Sequence, residues 1–287
     1  MRSNRVDREP PDEIPPHQQQ PNEQQPNQQQ PNEQQPNVIM ERRRMSRHPK
    51  PPSRRDIDPV DLVDPPIVDD RPLAALEARG VAKDYGDGPA LHETTLRIET
   101  GQRVALLGHN GSGKTTLLRI AAGLLDATSG RVLVFGETPS SIDARRRLSF
   151  VADNPAFYDD LSVWEHLEYV ARLHGTTRWE QRAADLLGVL GIYERADDLP
   201  HRFSRGLKQK AALAIGFVRP FELLLVDEPF VGLDVEGRAA LLGLFDEAAA
   251  EGATLLVATH ELSFVDRVDR VITLEDGRVR GDETPER

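Results

Sequence analysis

Gly108-His-Asn-Gly-Ser-Gly113-Lys114-Thr115 lies between an apolar run, Val104-Ala-Leu-Leu107, and an apolar helical pattern, Thr116-Leu-Leu-Arg-Ile-Ala-Ala122. The stretch matches the pattern G-x-x-x-x-G-K-[ST], a glycine-rich loop that binds phosphates between a strand and a helix. The sequence therefore predicts a strand, a phosphate loop and a helix in that order, which is a building block of α/β domains.

Each residue type in this loop suits the binding of phosphate. Glycines lack a Cβ atom, so the backbone N–H groups can approach phosphate oxygens, and the helix N-terminus adds a positive dipole end. Lys114 can reach the β- and γ-phosphates, and the Thr115 hydroxyl can ligate Mg²⁺. We expect phosphate contacts along the whole loop, from Gly108, His109, Asn110, Gly111, Ser112, Gly113, Lys114, Thr115 and Thr116.

A second apolar run, Leu223-Leu-Leu-Val-Asp227-Glu228, ends in two carboxylates. In a phosphate-loop protein, a carboxylate at such a strand end holds Mg²⁺, and Asp227 fits that role. Glu228 follows directly and can act as the general base towards the attacking water, a contribution of about 10²–10⁴-fold in rate.

Composition excludes several classes of protein. The 287 residues carry a net charge of −11, with 36 Lys and Arg against 47 Asp and Glu, which argues against nucleic acid as a partner. The absence of cysteine excludes disulfides and thiolate metal sites. The N-terminus shows no apolar stretch typical of a secretory signal, and no apolar run is long enough for a membrane span.

The chain changes character near residue 72. Residues 1–72 are rich in proline and glutamine and contain a five-residue repeat beginning at Pro21, Pro26 and Pro31. Such a segment has little apolar surface to bury, so we expect a disordered tail and linker. Residues 73–287 are expected to form the folded domain.

Within the folded domain, two kinds of pattern alternate. Leu76–Val81 and Leu91–Ile98 alternate apolar and polar residues and predict antiparallel strands. Residues 154–219 predict a helical subdomain in which Ser162-Val-Trp-Glu165 and Thr177-Arg-Trp-Glu180 both fit the capping box. Apolar strands and helices then alternate again. The predicted fold class is α/β, a phosphate-loop NTPase core with a parallel sheet, an antiparallel β subdomain and the helical subdomain.

The order of further motifs resembles that of the ATP-binding cassette (ABC) ATPases from about Leu76 to Val279. Phe203-Ser204-Arg-Gly206 precedes Asp227-Glu-Pro-Phe-Val-Gly-Leu-Asp234, and Ala258-Thr-His260 follows. The resemblance implies that Ser204 and Gly206 belong to the signature motif, Asp234 to the D-loop, and that His260 is the switch histidine. It also implies that Tyr85 stacks on the adenine of ATP, since any base can stack on an aromatic ring.

The resemblance further implies a mechanism. Two cassettes pair head to tail and enclose two ATP molecules with Mg²⁺, each ATP held by the phosphate loop of one subunit and by Ser204 and Gly206 of the other. Hydrolysis removes the γ-phosphate and releases the clamp, so that closure and opening drive a partner.

Three positions depart from the family pattern. Arg205 replaces a signature glycine, and Leu207 stands where the signature glutamine is expected. Asp153 aligns with the glutamine of the Q-loop. Since a carboxylate can ligate Mg²⁺, we expect Asp153 to face the metal.

The resemblance favours the ATP-binding subunit of a membrane transporter, with an exporter-like (ABC-2 type) cassette. Such a subunit forms a homodimer, or a heterodimer with a second cassette, and borrows an integral membrane permease. It is then cytoplasmic and peripheral on the inner face of the membrane. The alternative is a soluble ABC ATPase of translation or DNA repair, but those usually carry paired cassettes or long coiled-coil insertions.

Overall fold

The computed structural model describes residues 72–285, and the tail predicted for residues 1–72 lies, apart from Pro72, outside the described residues. The strands are β1 (Ala74–Asp84), β2 (Pro89–Glu99), β3 (Arg103–Leu107), β4 (Ser129–Val134), β5 (Leu148–Val151), β6 (Leu223–Asp227), β7 (Thr254–Ala258), β8 (Arg270–Glu275) and β9 (Arg278–Glu283). The α-helices are α1 (Lys114–Ala121), α2 (Ile142–Arg147), α3 (Val163–Leu173), α4 (Trp179–Val189), α5 (Arg205–Phe217), α6 (Val235–Ala250) and α7 (Leu262–Val265).

These strands form two sheets in the described part of the chain. The smaller sheet has the order β2-β1-β4 and is antiparallel, which confirms the antiparallel pair predicted from the alternating patterns. The larger sheet has the order β5-β6-β7-β3-β8-β9, and its strands are parallel except for β9. The predicted α/β architecture with a parallel core is therefore confirmed.

The central strands are buried on both faces, which explains why they read as continuous apolar runs. Along β6, Leu223 and Leu225 pack into a core shared with α1 and the smaller sheet. Leu224 and Val226 point the other way, into a core shared with the helical segment between β5 and β6 and with α6. The sheet thus separates two hydrophobic cores, and its strand ends are held from both sides.

Helices α3, α4 and α5 form the helical subdomain. The capping box predicted at the start of α3 is confirmed, because the Ser162 hydroxyl accepts from the Glu165 N–H at 3.2 Å and the Glu165 carboxylate accepts from the Ser162 N–H at 2.7 Å. The third helix of this subdomain, α5, starts at Arg205 with Ser204 as its N-cap.

The second predicted capping box is wrong. Helix α4 begins at Trp179 after Arg178, which has a left-handed backbone with φ of 56° and makes no side-chain cap bond. Trp179 is buried and packs against Trp164 of α3, with ring centroids 5.3 Å apart. This contact between helices sets the start of α4, so that Thr177 cannot take the cap position its spacing suggested.

The turn between β8 and β9 has a recognisable sequence pattern. Glu275 pairs with Arg278, and the two residues between them, Asp276 and Gly277, both have positive φ. Asp-Gly between two strands is typical of a tight two-residue hairpin turn, so this pair could have been predicted from sequence.

The burial of α3 yields a stability prediction. Leu167 is completely buried in the helical core, whereas Leu173 on the same helix is 67% exposed. We expect Leu167→Ala to lower the free energy of unfolding by about 2–5 kcal/mol because it leaves a cavity. The matched variant Leu173→Ala should change it by less than about 0.5 kcal/mol. Urea unfolding followed by circular dichroism measures both, and equal losses would contradict this packing.

Candidate functional site

The candidate site lies along one edge of the larger sheet. Because β3, β5, β6 and β7 are parallel, their carboxyl ends meet at this edge. The phosphate loop follows β3 and Asp153 follows β5. Asp227 ends β6 with Glu228 directly after it, and His260 follows β7. Sheet topology therefore gathers segments that are far apart in sequence.

The loop after β3 depends on glycine. Gly108 has φ of 153°, and a Cβ atom there would lie 2.2 Å from the carbonyl oxygen of Leu274. The Lys114 side chain turns back along this loop, where its Nζ donates to the carbonyl oxygens of Gly108 at 2.7 Å and His109 at 3.3 Å. Lys114 is 5% exposed, so its charge lies inside the loop rather than in solvent.

Thr115 and Asp227 are in direct contact. The Thr115 hydroxyl donates to Asp227 Oδ2 at 2.7 Å. Burial raises the pKa of Asp227, and the charges of Glu228 and Asp153 raise it further, while the Thr115 bond and Lys114 oppose this. Within the described residues, the other oxygen of the same carboxylate, Asp227 Oδ1, is buried without a hydrogen-bond partner.

Glu228 lies between a lysine and a histidine. Its backbone is left-handed, with φ of 46°, a conformation that is uncommon outside glycine and typical of constrained sites. Glu228 Oε1 lies 3.3 Å from Lys114 Nζ, and His260 Nδ1 donates to Glu228 Oε2 at 2.9 Å. Glu228 thus links the buried ammonium group of Lys114 to the exposed imidazole of His260.

Lys114, Thr115 and Glu228 line a cavity of about 270 Å³. With this size and its polar lining, the cavity suits the phosphate groups of a ligand. It is smaller than the pockets that enclose a whole drug-sized ligand. Its lining comprises Ala90, Asn110, Gly111, Ser112, Gly113, Lys114, Thr115, Thr116, Asp153 and Glu228. The structure therefore brings most of the predicted loop residues together with Asp153 and Glu228. Ala90 also lines the cavity and was not predicted from the sequence.

Tyr85 and His109, both predicted site residues, do not line this cavity. Tyr85 is 57% exposed, and Lys83 Nζ lies 5.3 Å from the centre of its ring. The His109 ring donates from Nδ1 to the carbonyl oxygen of Asn110 at 2.9 Å, and its Nε2 lies 3.3 Å from Asp276.

The signature residues lie at the N-terminus of α5. The Ser204 hydroxyl accepts from the Leu207 N–H at 3.4 Å, as a helix cap does. Gly206 packs against Gly232, and a Cβ atom at position 206 would lie 2.3 Å from the Gly232 carbonyl oxygen. Glycine at position 206 is thus required by contacts within this chain.

Asp234 starts α6. It accepts from the Gly237 N–H at 2.9 Å and lies 3.1 Å from Lys210 Nζ. Hydrogen bonding to Lys210, with a smaller effect of the Gly237 N–H, holds the pKa of Asp234 below its usual value.

Asp153 has a partner that the sequence analysis did not foresee. Arg205 Nη2 donates to Asp153 Oδ1 at 2.9 Å. Two of the three positions that depart from the family pattern therefore form an ion pair, although 52 positions separate them in sequence.

The described residues contain no group of three or more His, Asp or Glu side chains placed to hold a metal ion. Within residues 72–285, no helix is both long and apolar enough to cross a lipid bilayer.

A phosphate loop at the carboxyl edge of a parallel sheet defines the class as a phosphate-loop NTPase. The family model described as ABC transporter matches residues 91–231.

Two curated relatives are similar over most of the described domain. The chain is 33% identical over 213 residues to the SkfA peptide export ATP-binding protein SkfE of Bacillus subtilis (strain 168), covering 73% of this chain and 89% of that protein. It is 37% identical over 222 residues to the sulfate/thiosulfate import ATP-binding protein cysA of Cucumis sativus, covering 74% of this chain and 63% of that protein. The relatives thus include proteins named for export and for import. Together with the matching family model, they show that the chain belongs to the ABC transporter family, as an ATP-binding subunit with ATPase activity.

A solved structure shares the fold. A dimeric ATP-binding cassette in a post-hydrolysis state, bound to ADP and Pi, aligns with a TM-score of 0.65 and 27% identity, covering 73% of this chain and 98% of that chain.

The contact between Thr115 and Asp227 yields a test of the site geometry. Thr115→Val keeps the shape of the side chain but removes the donor to a buried carboxylate oxygen. We expect the free energy of unfolding without nucleotide to fall by about 1–3 kcal/mol.

Thr116→Val is the matched control, because Thr116 also lines the cavity and its hydroxyl has no hydrogen bond within the described residues. It should change stability by less than about 0.5 kcal/mol. Thermal unfolding measures both, and equal effects would show that the Thr115 bond is not what stabilises Asp227.

Proposed function

We propose that this chain binds MgATP, hydrolyses it, and thereby powers substrate export through a separate integral membrane permease. The observation that carries the proposal is the 2.7 Å hydrogen bond from Thr115 to Asp227, next to a cavity that Thr115, Lys114 and Glu228 line. Residues 73–287 would supply this activity, with residues 1–72 as a separate tail.

The residues at this cavity fit Mg²⁺. Asp227 offers a buried oxygen without a partner in the described part of the chain, and the Thr115 hydroxyl lies next to the same carboxylate. Mg²⁺ prefers hard oxygen ligands and is usually bound by one or two carboxylates together with substrate phosphates and water. Asp227 and Thr115 would hold the ion, which, when bound, would supply neutralising charge to the phosphates. A site of this kind does not need a cluster of three acidic or histidine ligands.

Glu228 would act as the general base. With ATP bound, the Lys114 ammonium would turn to the β- and γ-phosphates, which frees Glu228 Oε1 to accept a proton from the attacking water. His260 Nδ1 would keep its bond to Glu228 Oε2 and thereby orient the carboxylate. The observed contacts on the two oxygens of Glu228 support this division of roles.

The nucleotide site would be completed by a second cassette, either another copy of this chain or a different one. Ser204 and Arg205 are exposed at the N-terminus of the 13-residue helix α5, where N–H groups and the helix dipole favour an anion. We propose that Ser204 and Gly206 contact the γ-phosphate held by the other subunit, with Asp234 at the same interface and Tyr85 against the adenine. The dimeric state of the solved cassette bound to ADP and Pi supports this arrangement.

The permease would dock in a groove of about 900 Å³. Three large apolar side chains, Leu124, Ile142 and Leu173, line it and are more than half exposed. Its other lining residues in the described structure include four arginines and a histidine but no carboxylate: Arg145, Arg146, Arg172, Arg219 and His174. We propose that a permease segment with apolar and acidic side chains fills this groove, which would hold the subunit at the inner face of the membrane.

Transport is favoured over a soluble role in translation or DNA repair. The helices between β5 and β6 in the described structure have 11, 11 and 13 residues, far shorter than a long coiled-coil insertion. The similarity to a subunit named for peptide export supports the exporter-like cassette, whereas the similarity to an import subunit is the reason that direction is proposed and not concluded.

Replacing the proposed base tests this function. Glu228→Gln should bind ATP but turn it over about 10²–10⁴-fold more slowly, because the amide cannot accept the proton. MgATP should then accumulate in a dimer that is visible by size-exclusion chromatography with light scattering.

The matched control is Glu222→Gln, which changes an exposed glutamate that pairs with Arg147 away from the cavity. Its turnover should equal that of the unmodified protein. Unchanged hydrolysis in Glu228→Gln would contradict the assignment of the base, and a variant that binds ATP yet stays monomeric would contradict the dimer.

A further inference from the structure

The Asp153–Arg205 ion pair joins two parts of the molecule. Asp153 lies two residues after β5 and lines the phosphate cavity. Arg205 is the first residue of α5, directly after the Ser204 cap. The pair therefore connects the cavity with the helix N-terminus proposed to contact the second nucleotide.

Folding stability does not account for this pair. The Asp153 and Arg205 side chains are 42% and 64% exposed, and ion pairs between exposed side chains contribute little to stability because water screens them. The pair instead affects the electrostatic potential in the cavity.

The cavity has an unfavourable balance of charge for a polyphosphate. Asp153 and Glu228 line it, Asp227 lies beside it, and Lys114 is the one cation among its lining residues in the described structure. An uncompensated carboxylate at position 153 would repel a bound triphosphate.

We propose that Arg205 is a positioning residue for Asp153: its guanidinium neutralises this carboxylate and holds it away from the triphosphate at the mouth of the phosphate cavity. The inference rests on the proposed function. The family pattern has a neutral glutamine at position 153 and a glycine at position 205. The Asp153–Arg205 pair likewise adds no net charge. Each of these two departures from the family pattern therefore compensates for the charge of the other.

A double-mutant cycle tests this coupling. The full-length protein, Arg205→Gln, Asp153→Asn and the double variant are compared by calorimetric titration with ATP in the absence of Mg²⁺. Arg205→Gln should weaken ATP binding by about five-fold, the order of magnitude for one solvent-exposed charge at close range. In the Asp153→Asn background, the same replacement should have no effect, because no carboxylate is left to neutralise.

Two further measurements separate electrostatics from structure. The weakening in Arg205→Gln should shrink at high NaCl concentration, where exposed charges are screened. Arg205→Lys, which keeps the positive charge, should restore most of the affinity. A loss that persists at high salt, or that Arg205→Lys does not recover, would overturn the proposal.

Arg202→Gln is the matched control, because Arg202 is also exposed, three residues earlier, and its guanidinium contacts the His201 ring instead of a carboxylate. Its ATP affinity should equal that of the unmodified protein. An equal loss from Arg205→Gln in both backgrounds would show that Arg205 acts on the nucleotide directly, and no loss in either would show a surface contact without function.

The outcomes also separate this proposal from the proposed function. If the unmodified protein binds no ATP, the proposed function fails and the inference falls with it. If it binds ATP and the cycle shows no coupling, this inference alone fails.

Discussion

The organisation of the site depends on one nearly buried cation, the ammonium group of Lys114. Carbonyl oxygens of Gly108 and His109 hold it on one side, and the Glu228 carboxylate faces it at 3.3 Å. A buried charge is costly unless it is paired and hydrogen-bonded, so the loop and the end of β6 must approach each other. The parallel order of β6, β7 and β3 fixes that approach, because it brings their carboxyl ends to one edge.

Features that depend on neighbouring residues could be predicted from the sequence, whereas features that depend on long-range contacts could not. The strand, loop and helix around Lys114 and the Ser162 capping box are local patterns whose partners lie within a few residues, and the structure confirms both. The start of α4 depends on the packing of Trp179 against Trp164, and the partner of Asp153 lies 52 positions away at Arg205. Such contacts follow from tertiary structure and leave no trace in local spacing.

Individual residues in this site meet more than one demand. Gly206 must accommodate the Gly232 carbonyl within its own chain, and Asp234 caps α6 while pairing with Lys210. These structural roles explain the residue types without any ligand. They are compatible with contacts to a second cassette, because Ser204, Arg205 and Asp234 remain exposed beside the N-termini of α5 and α6. A motif position can therefore be required by the fold and used by the dimer.

The role of Lys114 is tested most directly by the steady-state rate of ATP hydrolysis by Lys114→Ala. Circular dichroism shows whether the variant folds. Removal of the ammonium group takes away the counter-charge of Glu228 and the proposed partner of the β- and γ-phosphates. Turnover should fall to the background rate while the helical and strand content is retained. A folded Lys114→Ala protein that hydrolyses ATP at the rate of the unmodified protein would contradict the account.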